Sequence, residues 1–133
     1  MLPLSLIRGA AASATWARTH GLDVSRTPHW YVEIQLPTQR TDTRLDINLY
    51  PEEWGLIFRR EGRVSSIRVT DVPFVHGLDD DKLLRDFPQL VDLHRFLDEL
   101  ERRFEIQFAR QRPLVHSNVT DATTSVRAWL DSR

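Results

Sequence analysis

The stretch that decides the fold is Ser66-Ile67-Arg68-Val69-Thr70-Asp71-Val72-Pro73-Phe74-Val75-His76-Gly77-Leu78-Asp79-Asp80-Asp81. Its first half is rich in β-branched residues and predicts the last strand of a sheet. Pro73 cannot donate a backbone hydrogen bond, so we expect the strand to end there or to continue only at a sheet edge. His76 and Gly77 signal a turn, and the aspartates that follow suit the N-terminus of a helix, where negative charge is favoured. The sequence therefore predicts strands before this stretch and helices after it.

The composition is that of one soluble domain over residues 1–133, with 41% hydrophobic and 28% charged residues. The net charge of -1 argues against a nucleic-acid binder that relies on bulk positive charge. The absence of cysteine excludes disulfides and cysteine-based zinc sites, and it fits a reducing compartment. No basic residue precedes the short apolar run at residues 2–7, and Arg8 interrupts it, so we expect a cytoplasmic protein without a secretion signal or membrane span.

Three segments before the deciding stretch alternate apolar and polar residues, which is typical of strands that bury one face. A fourth, with the least regular alternation, runs into the stretch itself. The predicted strands cover residues 30–36, 44–50, 54–58 and 64–72. Their apolar positions include Trp30, Val32, Ile34, Leu36, Leu45, Ile47, Leu49, Trp54, Leu56 and Phe58. Arg60-Glu61-Gly62-Arg63 reads as a tight turn with glycine where positive φ is needed. The pattern predicts a four-stranded antiparallel meander.

Helical periodicity appears on both sides of these strands. Residues 3–19 predict an N-terminal helix that Gly21 ends. A long helix begins at Pro88 and carries apolar residues at spacings of three and four through Phe104. Residues 105–108 predict a short strand, residues 113–118 are irregular, and a final helix follows a cap at Thr120-Asp121. The predicted fold class is α+β, a two-layer sandwich of one sheet and its helices.

The polar positions of the first two strands form the main candidate site. They are Tyr31, Glu33, Gln35, Arg44, Asp46, Asn48 and Tyr50. A solvated sheet surface with cross-strand pairs is the simplest interpretation. A metal-dependent catalytic cluster of Glu33 and Asp46 is a second, but no lysine lies near them in sequence. Recognition of a partner is a third, because tyrosines amid mixed charge resemble an interface, and we rank it ahead of catalysis.

The aspartates Asp79, Asp80 and Asp81 admit two interpretations. They are hard oxygen ligands that suit a divalent cation. Side chains of consecutive residues diverge, however, and a calcium loop would space its ligands at alternate positions. We therefore expect this acidic segment to cap a helix and to bind no metal. The sequence also lacks a nucleophile elbow and a glycine-rich phosphate loop, so we expect no cofactor and no enzymatic activity.

The segments Asp46-Ile47-Asn48, Tyr50-Pro51-Glu52-Glu53-Trp54-Gly55 and Ile67 to Gly77 resemble small bacterial proteins of polymorphic toxin loci. Such single-domain α+β proteins are often immunity proteins, and the similarity extends from about Trp30 to Leu130. The resemblance implies a cognate protein toxin as the partner. Its motifs are structural turns, so it implies no catalytic residue.

These observations lead to one leading hypothesis and two alternatives. The leading hypothesis is an immunity-type protein that blocks a cognate toxin or effector by protein–protein contact, without nucleic acid or membrane. Its expected partner-binding residues are Tyr31, Glu33, Arg44, Asp46, Asn48, Tyr50, Asp79, Asp80 and Asp81. The alternatives are a small metal-dependent hydrolase or nuclease using Glu33 and Asp46, and a secretion chaperone with an apolar dimer surface. The sequence leaves the oligomeric state and the toxin's identity open.

Overall fold

The α+β fold class is confirmed by a computed structural model, in which the described residues form a five-stranded antiparallel sheet and two helices. The structure describes residues 14, 15, 17, 18, 21–70 and 93–132, and for residues 67–70 the backbone alone. The elements are β1 (Val32–Pro37), β2 (Thr43–Leu49), β3 (Glu53–Arg60), β4 (Arg63–Thr70), α1 (Leu93–Phe104), β5 (Leu114–Ser117) and α2 (Ala122–Asp131).

The four predicted strands form the expected antiparallel meander, and β5 adds to its other edge. The strand order is β4-β3-β2-β1-β5. The register sets Ile34 opposite Ile47 and Ile47 opposite Leu56, so the apolar positions of three central strands lie on one face. All three residues have no exposed surface. Burying one such side chain contributes about 1.5–3 kcal/mol, which strongly favours this register over a one-residue slip.

The helices supply the second layer of the core. The buried residues of α1 and α2 are Leu93, Phe96, Leu97, Leu100, Ala122, Val126, Trp129 and Leu130. They join the apolar sheet residues in one hydrophobic cluster. At the end of α1, the ring of Phe104 lies 5.3 Å from that of Phe58, and the guanidinium of Arg60 lies 4.5 Å above it. The predicted periodicity of both helices is therefore confirmed where the structure describes them.

Two glycine predictions are confirmed by the backbone. Glu61 and Gly62 connect β3 to β4 with φ values of 54° and 79°, the positive angles that a two-residue type I′ hairpin requires. Gly21 has φ 82°, with hydrogen bonds from its N–H to Arg18 and from Leu22 to Ala17. This Schellman arrangement ends helical backbone. Of the predicted N-terminal helix, residues 14, 15, 17 and 18 are helical, and the rest lies outside the described residues.

The predicted position of the fifth strand was wrong. The strand is Leu114–Ser117, antiparallel to β1, whereas Phe108 forms only an isolated bridge with Thr38. Residues 105–106 end α1 instead, because Glu105 has φ 55° and the N–H of Ile106 bonds to the carbonyl of Glu101. Residues 114–117 gave no sequence signal because a four-residue strand is too short to establish an alternation.

The remaining predictions concern the ends of helices and strands. Asp121 occupies the N-cap position of α2, but it has φ 57° and its side chain makes no capping hydrogen bond, so the predicted side-chain cap was wrong. The expected start of the long helix at Pro88 and the expected end of the fourth strand near Pro73 lie outside the described residues. The acidic segment at residues 79–81 lies outside them as well.

Candidate functional site: the open face of the sheet

The side of the sheet opposite the helices carries the candidate site, and we call it the open face. The register places Glu33 opposite Asn48 and Gln35 opposite Asp46. Arg44 faces its cross-strand neighbour Arg59 on β3. The structure thus brings the predicted polar residues of β1 and β2 onto one rigid surface. Tyr50, which follows β2, reaches this surface through its contact with Glu33.

Asp46 lies at the centre of the open face and is only 6% exposed. The Nε of Arg59 donates to its Oδ2 at 3.0 Å, and the Nε of Arg44 lies 3.1 Å from its Oδ1. The second contact is an ion pair without hydrogen-bond alignment, since Oδ1 accepts no hydrogen bond. The interpretation of this face as fully solvated was therefore wrong for Asp46. Two arginines cover this carboxylate because its charge must be paired when water is excluded.

The two arginines remain at the surface above that carboxylate. The side chain of Arg44 is 44% exposed and that of Arg59 is 42% exposed. Two positive charges against one negative charge leave this trio with one net positive charge. We call Arg44 and Arg59 the arginine pair, and Asp46 is the carboxylate that they share.

Glu33 belongs to a separate hydrogen-bond network. The hydroxyl of Tyr50 donates a hydrogen bond to its Oε2, and Glu33 lies opposite His116 of β5. Tyr31 is half-buried and held at the backbone: its N–H donates to Asn118 Oδ1 at 2.9 Å, and its carbonyl accepts from Ser117 Oγ at 2.6 Å. The side chains of Glu33 and Tyr50, which hold each other, lose little conformational freedom on binding.

Apolar residues flank the polar centre of the open face. Val64 is 52% exposed and Leu114 is 62% exposed, the large hydrophobic side chains exposed among the residues that the structure describes. Val64 pairs with Arg59, and Leu114 pairs with Gln35, so both lie on the open face at opposite edges of the sheet. Ile57 lies between them, opposite Asp46, and is half-buried. Exposed apolar side chains beside arginine and tyrosine resemble the composition of a protein interface.

Sequence reasoning missed Arg59, Val64 and Leu114 at this site. The alternation of Trp54, Leu56 and Phe58 contained the signal for Arg59, because it places odd-numbered residues of β3 on the other face. Leu114 had no comparable signal, since its strand was not recognised. The acidic residues Asp79, Asp80 and Asp81, which were expected to contribute, lie outside the described residues.

The geometry gives the two carboxylates of the proposed catalytic cluster different surroundings. Asp46 has a guanidinium nitrogen close to each oxygen, while Glu33 accepts a hydrogen bond from Tyr50. A divalent cation near Asp46 would meet two positive charges. Within residues 21–70 and 93–132, no three histidine, aspartate or glutamate side chains come together as metal ligands.

A second charged feature lies on the helical side. Arg110 is only 8% exposed, and its Nη2 donates to Asp98 at 2.7 Å and to Glu101 at 2.8 Å. Glu101 also accepts from the N–H of Phe108 at 2.9 Å. These bonds tie the loop after α1 to the helix beside a cleft of about 390 Å³. The arginine is thus held by contacts within the chain, which is a structural role.

Comparison of the chain with protein-family models, with curated proteins and with solved structures finds no match in any of the three. Across the part of the chain that the structure describes, no helix has the length and apolar character needed to cross a membrane.

Proposed function

We propose that this chain is an immunity-type binding protein, which blocks a cognate bacterial toxin by contact through the open face of its sheet. The choice of a toxin as the partner rests on the resemblance of residues 46–48, 50–55 and 67–77 to proteins of toxin loci. The docking surface rests on the structure of the open face. A cytoplasmic location belongs to the same proposal.

One observation carries the docking surface. The exposed large hydrophobic side chains of the described residues, Val64 and Leu114, both lie on the face opposite the core. Between them lie the arginine pair, Ile57 and the hydrogen-bonded Glu33 and Tyr50. Arginine and tyrosine are enriched in binding hot spots, and the exposed apolar side chains beside them add area that a partner can bury.

The alternatives receive less support from the geometry. A hydrolase using Glu33 and Asp46 needs carboxylates that are available to a metal or water, and Asp46 is occupied by two arginines. A chaperone dimer needs a continuous apolar surface. On the open face, Val64 and Leu114 lie on opposite edge strands with polar residues between them.

The test uses the product of the gene adjacent to the one that encodes this chain. We expect this product to arrest growth when it is expressed alone and to be neutralised when the chain is co-expressed. We further expect the purified proteins to form a complex that calorimetry detects. A non-toxic adjacent product, or toxicity that the chain does not relieve, would contradict the proposed function.

Matched variants then locate the interface. Leu114→Arg places a large charged side chain on the open face, and Thr124→Arg places the same side chain at an exposed position of α2. We expect Leu114→Arg to weaken the complex and to restore toxicity, because the arginine prevents close contact at an apolar anchor. Thr124→Arg should neutralise the toxin as well as the unmodified chain does. Equal binding by both variants would place the interface elsewhere.

A further inference from the structure

We propose that the arginine pair on the open face, Arg44 and Arg59, receives a carboxylate side chain from an acidic patch of the protein partner. This inference rests on the proposed function, and it names the chemistry by which the open face recognises its partner.

Most N–H donors of the arginine pair remain available to a partner. Asp46 contacts the Nε of each arginine, at 3.1 Å for Arg44 and 3.0 Å for Arg59. The Nη groups of both side chains make no hydrogen bond within the part of the chain that the structure describes. Each guanidinium carries five N–H donors, and among them Asp46 accepts a hydrogen bond only from the Nε–H of Arg59. Both side chains therefore present unused donors while their positions are fixed from below.

A second feature of the arginine pair is its charge. Asp46 neutralises one of the two guanidinium groups, so the trio keeps one net positive charge at a surface that is partly shielded from water. A single incoming carboxylate would balance this charge. Carboxylates bind guanidinium groups through paired N–H donors in a planar geometry, so they match this surface in shape as well as in charge.

The surroundings of the arginine pair favour a protein carboxylate over a nucleic-acid phosphate. Glu33 lies on the same face, and the net charge of the chain is -1. The many phosphates of a nucleic acid would be repelled by Glu33 and by the net negative charge of the chain, whereas one acidic side chain meets only the arginine pair. The apolar flanks at Val64 and Leu114 also suit a protein surface. An acidic protein patch is therefore the partner that the open face favours.

The experiment follows the Nε–Hε signals of the arginines by NMR while a capped peptide of glutamates is added. We expect the signals of Arg44 and Arg59 to shift saturably, and we expect binding to weaken as the salt concentration rises. Arg44→Gln and Arg59→Gln should each weaken peptide binding about threefold to tenfold. Arg127→Gln, at an exposed position of α2, is the matched control and should change nothing.

Three results would overturn this inference: no shift at the pair, equal shifts at Arg127, or tighter binding of a thymidine oligonucleotide of the same length. The last result would identify a phosphate polymer as the ligand. A separate measurement with the toxin distinguishes this failure from failure of the proposed function. If Leu114→Arg abolishes toxin binding while both arginine variants retain it, the docking face stands and the carboxylate contact is wrong. If the chain does not neutralise the toxin at all, the proposed function fails whatever the peptide does. Urea unfolding of each variant confirms that it is folded.

Discussion

The two faces of this sheet are built from the same strands by different means. On the covered face, apolar residues such as Ile34, Ile47 and Leu56 have no exposed surface, and the helices complete their packing. On the open face, the buried group at the centre is the carboxylate of Asp46, and two half-exposed arginines cover it. Burial of apolar area is therefore the main source of stability on one face, while ion pairing fixes side chains in place on the other.

This difference separates folding from binding along a single strand. In β2, residues 45, 47 and 49 face the core, while residues 44, 46 and 48 face outward. Substitutions at the odd-numbered positions should change the free energy of unfolding. Substitutions at the even-numbered positions should mainly change the affinity for the partner. The predictions below test that separation, from the largest expected effect to the smallest.

The largest effect is expected when two isoleucines, one on each face of the sheet, are compared. Ile47→Ala removes a fully buried side chain and leaves a cavity, so it should lower the free energy of unfolding by about 3 kcal/mol. Ile57 is half-buried on the open face, and Ile57→Ala should lower it by about 1 kcal/mol or less. Urea unfolding of both variants measures the difference. Equal losses would show that the open face is also a packed core face.

The next effect concerns affinity. The double variant Arg44→Ala, Leu114→Ala removes one charged and one apolar anchor from the open face, and it should weaken toxin binding by about 2 kcal/mol or more. Its free energy of unfolding should change little, because Leu114 is largely exposed and Arg59 still pairs with Asp46 when Arg44 is removed. Calorimetry and urea unfolding give the two quantities. Unchanged binding would move the interface to the helical side or to the segment at residues 73–81.

Asp46→Asn tests how much the buried carboxylate stabilises the fold. The variant keeps the shape but leaves two neighbouring guanidinium groups without a counter-charge. We expect a loss of about 1–2 kcal/mol in the free energy of unfolding, less than for a fully buried pair because both arginines are half-exposed. An unchanged urea midpoint would mean that Asp46 only orients the arginines.

Asp42→Asn provides the control for that variant. The hydrogen bond from Arg40, and a second from Thr43, hold the pKa of Asp42 below its usual value. The stability that this lowered pKa provides is therefore present above the ordinary aspartate pKa of about 3.9 and disappears as the pH falls through the lower folded value. Asp42 is exposed, so we expect a much smaller effect than for Asp46.

The fold was predictable where a pattern extended over many residues. Alternation along β1 to β3 predicted which side chains face the core, and positive φ at Gly62 followed from the turn sequence. β5 was not predictable, because its pairing depends on contacts between Tyr31, Ser117 and Asn118, which are distant in sequence. Local pattern cannot show such long-range hydrogen bonds.

The sequence predicted which residues belong to the site, but it did not predict how they are arranged within it. Period two assigned Glu33, Arg44 and Asp46 to one face. It could not show that Asp46 is buried, because burial depends on Arg59 from the next strand. Arg44 and Arg59 are cross-strand neighbours only in the observed register of β2 and β3. The sequence thus identified candidates for a binding face, and the pairing of strands determined which side chain is central.

A small effect is also expected at the end of α1, in the layer that covers the core. Glu105 has φ 55°, a left-handed conformation that disfavours a residue with a Cβ atom, and it occupies the position where helices usually place glycine. Glu105→Gly should raise the free energy of unfolding by about 0.5–1 kcal/mol by relieving this strain. Glu105→Ala removes the same exposed carboxylate but keeps the Cβ atom, so it should not stabilise the protein. The hydrogen bond from Gln39 to the carbonyl of residue 105 is available to both variants. Urea unfolding of the two variants separates backbone strain from side-chain contacts, and equal stability would contradict the strain. Since α1 covers only the core face, toxin binding through the open face should be the same for both.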